Sequence, residues 1–96
     1  MKQPAVYMMT NKRNGAIYTG VTSNLIRRVY EHRNNLVDGY TKKYGCKSLV
    51  FFEIHNIMES AIKREKKIKA STRNWKIVLI EEKNPEWIDL YEEISK

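Results

Sequence analysis

Val6-Tyr7-Met8-Met9 and Ile17-Tyr18-Thr19-Gly20 decide the fold, because these two tyrosine-bearing strand patterns flank the polar stretch Asn11-Lys12-Arg13-Asn14-Gly15. Asn and Gly tolerate the positive φ that a tight connection needs. Residues 5–10 and 16–21 are therefore expected to pair as an antiparallel hairpin. Thr22, Ser23 and Asn24 are all candidate N-caps for a helix running to about Leu36. On that helix Leu25, Val29 and Leu36 fall on one stripe, His32 falls between them, Arg28 flanks the stripe and Arg27 faces away. Ionisable groups are costly to bury without a partner or a task. Arg28 and His32, one turn apart beside an apolar face, thus mark a chemical site in the first third of the chain.

Asp38-Gly39 is expected to end the helix, leaving residues 40–47 as a basic loop with Lys42, Lys43 and Lys47. Leu49-Val50-Phe51-Phe52-Glu53-Ile54 reads as a third strand, apolar enough to be central and covered on both faces. A helix over residues 58–70 follows, with Met58, Ala61, Ile62 and Ile68 inward and Glu65 projecting from the middle of that face. Ile77-Val78-Leu79-Ile80 fits a buried strand or a helix; a helix capped by Ser71 or Thr72 is preferred. Asn84-Pro85 matches an N-cap with proline in the first turn, opening a last short helix through Trp87 and Tyr91. The pattern predicts an α/β domain, a small three-stranded antiparallel sheet flanked by helices.

At 96 residues the chain fits one domain, its core over about residues 4–91. The net charge of +7 is uneven: residues 1–50 hold nine Lys/Arg against Glu31 and Asp38, and residues 51–96 hold nine against nine acids. The excess lies in the half that carries the tyrosines, which points to an anionic partner, nucleic acid before an acidic membrane surface. The plainer alternative is that the charge only confers solubility. Cys46 stands alone, so no internal disulfide forms, and a reducing cytosol with a structural role for this thiol is expected. No apolar stretch reaches membrane-spanning length, and the run after Met1-Lys2-Gln3-Pro4 is too short for a signal peptide. A soluble cytoplasmic protein is the expectation. Trp87 and Tyr91 either close the core or support a dimer, and the oligomeric state is open.

Singly, no candidate residue is specific. Tyr7 and Tyr18 are ordinary strand aromatics, Arg28 a surface cation, and His32 a satisfied buried histidine. Glu65 fits a core carboxylate paired with Arg28 as well as a metal ligand. In order and spacing they say more. With Val6-Tyr7-Met8, Ile17-Tyr18-Thr19-Gly20, Arg28 ten positions beyond Tyr18, and Arg64-Glu65-Lys66, the chain closely resembles the GIY-YIG nuclease domains, in particular small stand-alone bacterial members. Its first motif lacks the leading glycine and isoleucine, Val21 stands where some relatives carry lysine, and Asn84 is matched to a late asparagine of many relatives.

The resemblance implies a nuclease fold and a metal-dependent endonuclease acting on DNA, with branched, damaged and single-stranded forms as the candidate substrates. It casts Glu65 as the lone carboxylate holding one Mg²⁺ (or Mn²⁺), an ion that prefers oxygen ligands and keeps several waters. Arg28 would contact the scissile phosphate, Tyr18 would activate or orient water, and Tyr7 would assist through its hydroxyl. His32 is an alternative base or proton relay. Free tyrosine, with a pKa of about 10, is a poor base at neutral pH, whereas histidine at about 6.5 needs less tuning. Lys12, Arg13, Arg27, Arg33, Lys42 and Lys43, with Tyr40 and Tyr44, are candidate backbone contacts for nucleic acid. Larger relatives carry separate targeting domains, so target choice falls to this domain or to a protein partner. Two further readings stand beside the enzyme: a non-catalytic nucleic-acid-binding module, and a basic interaction protein for an acidic partner in which Arg28 and Glu65 form a buried ion pair.

Overall fold

The hairpin forms where its turn residues permit it. In the computed structural model, which describes residues 3–96, β1 (Ala5–Thr10) and β2 (Ile17–Thr22) pair antiparallel from Ala5 opposite Thr22 to Thr10 opposite Ile17. Asn14 takes a positive φ of 58°, and the Asn11 side chain accepts from the Ala16 N–H at 2.9 Å to close the connection. α1 (Leu25–Arg33) follows, with Asn24 as its N-cap accepting from the Arg27 N–H. The remaining elements are α2 (Tyr40–Tyr44), β3 (Ser48–Ile54), α3 (Met58–Ala70), α4 (Arg73–Glu81) and α5 (Tyr91–Ile94).

The sheet order is β2-β1-β3, all neighbours antiparallel. Alternation along a strand sends successive side chains to opposite faces, and β1 buries both sets. Val6 and Met8 join Val50, Phe51, Ala61, Ile68, Ile80 and Trp87 on the face covered by α3 and α4. Ala5, Tyr7 and Met9 join Leu25, Val29, Cys46 and Leu49 on the face covered by α1. The α/β class, the three-stranded sheet and the helix over Ile77 to Ile80 match expectation. For that helix, Thr72 supplies the cap, accepting from the Trp75 N–H at 3.1 Å.

Five details differ from the sequence reading, each for a local reason. β1, not β3, is central. β3 is apolar because residues 84–90 cover its outer edge: the Leu90 N–H donates to the Leu49 carbonyl, and the Leu49 N–H to Asp89. α1 stops at Arg33 rather than near Leu36. Asn35 adopts φ 57°, its N–H bonds to the His32 carbonyl, and the Leu36 N–H bonds to the Glu31 carbonyl, a helix-ending pair that leaves Leu36 65% exposed. Residues 40–44 form a short helix instead of loop, ended by Gly45 in the left-handed conformation at φ 65°. On α3, Ile62 lies at the exposed margin while Glu65 is buried in the stripe.

Asn84 is the fifth. It caps no helix, because Trp87 takes a positive φ of 56° and turns the chain before a helix can propagate. Its side chain faces inward instead. Asn84 Nδ2 donates to the carbonyls of Val50 (3.1 Å) and Ile88 (2.9 Å), and its Oδ1 accepts from the Ile88 N–H (3.0 Å). Trp87 is buried and closes the core, with its indole N–H on Glu81 at 2.7 Å. Among the described residues no helix is long and apolar enough to cross a membrane.

Asn84 therefore ties the covering segment to β3 with one hydrogen bond and shapes the segment itself with two more, to Ile88. Asn84→Ala leaves buried backbone groups without partners and is expected to destabilise the domain by about 3 kcal/mol, visible as a drop of at least about 10 °C in the thermal midpoint. Asn84→Asp, which cannot donate, is expected to fall comparably. Midpoints like the wild type in both variants would show that the segment is held elsewhere.

Candidate active site

The site begins with the register of the hairpin. Tyr7 lies opposite Gly20, and a Cβ built on Gly20 would stand 2.5 Å from the Tyr7 hydroxyl oxygen and 2.6 Å from its Cζ. Glycine is required here for space, since the tyrosine ring passes directly over the backbone. The Tyr7 hydroxyl meets His32 Nε2 at 2.8 Å, and His32 Nδ1 meets Thr41 Oγ1 at 2.9 Å. Tyr7, His32 and Thr41 are all buried. One chain of hydrogen bonds thus joins β1, α1 and α2.

Tyr18 sits beside this chain. Its ring centroid is 6.2 Å from Tyr7 and 5.5 Å from His32, edge-on to the latter. Arg28, one turn before His32, keeps a side chain 39% exposed and pairs with Glu31 at 3.3 Å. It borders a polar cleft of about 290 Å³ lined by Thr22, Ser23, Asn24, Arg27, Arg28 and Glu31. Glu65 projects from α3, which packs on β1 and β2. Its carboxylate pairs with Lys69 at 2.8 Å, and Lys69 Nζ lies 5.7 Å from the centre of the Tyr18 ring. Glu65 and Arg28 each have a partner on their own helix, so the buried Arg28–Glu65 ion pair of the interaction-protein reading does not form.

Burial sets the protonation of the inner pair. Desolvation pushes the Tyr7 phenol well above its ordinary range, the neighbouring Tyr18 adds to the rise, and the Arg28 guanidinium opposes it. Tyr7 therefore stays a neutral phenol. Desolvation also lowers His32 to about 4, helped by the positive charge of Arg28 and opposed by Glu31. At neutral pH His32 is an uncharged imidazole with both ring nitrogens engaged. It orients Tyr7 and has no free nitrogen for solvent.

The basic residues divide. Lys12 and Arg27 are exposed, Arg27 leaning on Glu31 at 3.5 Å. Arg13 pairs with Glu86 at 3.1 Å, and Lys42 with Asp38 at 3.4 Å. Lys43 lies over the Tyr44 ring at 5.3 Å. Arg33 pairs with Asp89 and covers Tyr91 at 4.6 Å, which ties α1 to the C-terminal segment. Cys46 is buried, as a structural thiol should be.

Thr41 and Lys69 were not among the residues singled out from sequence. Thr41 carries no signal while residues 40–47 read as loop. Lys69 had one, since it stands four positions after Glu65 on a helix face, where side chains meet. Tyr40, set down as a backbone contact, proves to stack on Tyr18 at 6.2 Å with planes 29° apart.

A family profile for the GIY-YIG catalytic domain matches residues 3–78, a span that includes Tyr7, Tyr18, Arg28, His32 and Glu65. The chain is 39% identical over 79 residues to a UPF0213 protein of Clostridium perfringens, covering 82% of this chain and 84% of that one. It is 33% identical over 82 residues to a UPF0213 protein of Staphylococcus saprophyticus, covering 85% and 99%. The solution NMR structure of a UPF0213 protein from Bacillus halodurans superposes with a TM-score of 0.55 at 28% identity, covering 85% of this chain and 86% of that one.

Two outcomes follow from the geometry. Gly20→Ala forces the Tyr7 ring off His32 and is expected to cost about 2 kcal/mol; an unchanged thermal midpoint would contradict the close approach. The second concerns acid. Because folding lowers the His32 pKa from 6.5 to about 4, the unfolded chain binds the extra proton between those values. Stability is complete above pH 6.5 and drains away as pH falls toward 4, by roughly 3 kcal/mol from this residue. Urea unfolding at pH 7 and pH 4.5 is expected to show a smaller loss in His32→Gln than in the wild type.

Proposed function

The chain belongs to the GIY-YIG catalytic domain family, and from that premise we propose that it is an endonuclease hydrolysing phosphodiester bonds in DNA with one divalent cation. The observation that carries the reading is the meeting of Tyr7, Tyr18 and His32 within 6.2 Å, centroid to centroid, beside an Arg28 whose side chain remains open to solvent.

Each residue then has a task that its surroundings fit. Arg28 receives the scissile phosphate and offsets the charge that gathers on it, a fixed electrostatic contribution needing no proton transfer. Its ion pair with Glu31 is a local one between partly exposed groups, worth little in water and readily exchanged for a phosphate. Tyr18 orients the attacking water with its hydroxyl. Tyr7, held neutral by burial, serves as a hydrogen-bonding post, and His32 is a positioning residue that fixes the direction of that phenol. Water adds to phosphorus and gives up a proton to solvent, the P–O bond to the leaving oxygen breaks with its electron pair, and that oxygen takes a proton from solvent.

The donor set suits a hard cation. Glu65 offers one carboxylate, and among the described residues no group of three His, Cys, Asp or Glu could hold a metal ion. A zinc centre is therefore poorly served, whereas Mg²⁺ or Mn²⁺ accepts a single carboxylate and completes its shell with water and phosphate oxygens. When bound, such an ion supplies positive charge for the leaving oxygen. Lys69 holds the same carboxylate at 2.8 Å and would swing away as the ion arrives.

Glu65→Ala and Arg28→Ala are each expected to reduce cleavage of single-stranded, branched or duplex DNA by about 100-fold or more, with EDTA abolishing it in the wild type. Gel assays with Mg²⁺, Mn²⁺ or EDTA, on DNA and on RNA, check this. Salt-sensitive binding with no cleavage by the wild type would leave a nucleic-acid-binding module in place of an enzyme, and the absence of both would leave an interaction protein.

A further inference from the structure

α2 presents two tyrosines that the fold itself does not use. Tyr40 and Tyr44 stand one turn apart, ring centroids 4.7 Å from each other, and are 43% and 45% exposed. Tyr40 stacks in turn on Tyr18, so three rings run outward in a row from the candidate site. Lys43 lies over Tyr44, and Lys42 precedes it in sequence. Between the tyrosines, Thr41 is buried and bonded to His32, which fixes this short helix to the chemistry.

A row of partly exposed aromatic rings, its outer member under a lysine side chain that a base would displace, matches an unpaired nucleic-acid strand. Aromatic faces take bases by stacking, whatever their identity, while cations follow the phosphates. Bases inside a duplex already have both faces covered by their neighbours. Only a base freed from pairing can lie on Tyr40 or Tyr44.

We propose that Tyr40 and Tyr44 form a stacking platform for unpaired bases of a DNA strand, with Lys42 and Lys43 on its phosphates, and that this platform directs the enzyme to single-stranded segments. This rests on the nuclease reading for its cleavage consequence, but not for binding. Tyr40 and Tyr44 are positioning residues: they place the strand and do not touch the reacting atoms.

The test uses the full chain in EDTA with a single-stranded oligonucleotide carrying 2-aminopurine, whose fluorescence falls when the base stacks. The wild type, Tyr40→Phe and Tyr44→Phe are expected to quench it. Tyr40→Leu and Tyr44→Leu, which keep apolar bulk but lose the ring, are expected to lose the quench and bind the strand about ten-fold more weakly each, with blunt-duplex binding unchanged. With Mg²⁺ added, the preference for single-stranded over duplex substrate is expected to collapse in the Leu variants. Equal quenching by Leu and Phe variants, or equal wild-type affinity for single strand and duplex, would overturn the platform even if cleavage is strong. Tighter binding to RNA of the same sequence would overturn the assignment to DNA. Quenching that depends on the rings without any cleavage would uphold the platform and remove the nuclease reading.

Discussion

The contact between the Tyr7 hydroxyl and His32 inside the core is the constraint on which the rest of the site is built. A phenol and an imidazole taken from water each need a partner, and here each supplies the other's. The arrangement exists only because Gly20 lies opposite Tyr7 and offers no side chain to the ring. Hairpin register, the seating of α1 and the position of α2 through Thr41 are fixed together. A glycine in a strand is normally a weakness. In this hairpin it makes room for the group that orders three elements.

Around that rigid centre the charged groups are held lightly. Arg28 rests on Glu31 and Glu65 on Lys69, both pairs made within one helix at i,i+3 or i,i+4 spacing. The Arg28–Glu31 pair lies between partly exposed groups and contributes little to stability, so surrendering it costs little; Glu65 is buried, and its carboxylate needs a cation, from Lys69 or from a ligand. The uncharged hydrogen-bonded residues are buried and fixed, while Arg28 and Lys69 keep exposed side chains with exchangeable partners and Glu65 is the one buried charge among them. This division suits a site that must receive a polyanion without loosening its scaffold.

Much of this was legible in the sequence. The two tyrosine motifs gave the hairpin, helical spacing placed His32 inward and Arg28 at the margin, and Glu65 was visible as a carboxylate on an apolar stripe. What was not legible depended on distant partners. Apolarity placed β3 at the centre of the sheet, because nothing local reveals that residues 84–90 return to cover its edge. Asn84 before proline looks like a cap until Trp87 adopts a conformation that propensity disfavours. Leu36 continues the helical stripe by spacing, but Asn35 ends the helix first. The short α2 is defined by glycines on either side more than by its own residues, so the link from Thr41 to His32 could not be foreseen.

The covering of β3 has a consequence for how the chain is made. Its hydrogen bonds come from residues more than thirty positions later, Leu90 and Asp89 to Leu49 and Asn84 to Val50. While the polypeptide is still emerging from the ribosome, that strand has an unpaired backbone border and apolar side chains with no cover. Exposed borders of this kind invite pairing with other chains. The domain is thus most prone to aggregate until residues 84–90 have emerged to cover the strand, and a product truncated before residue 84 would carry the same hazard permanently.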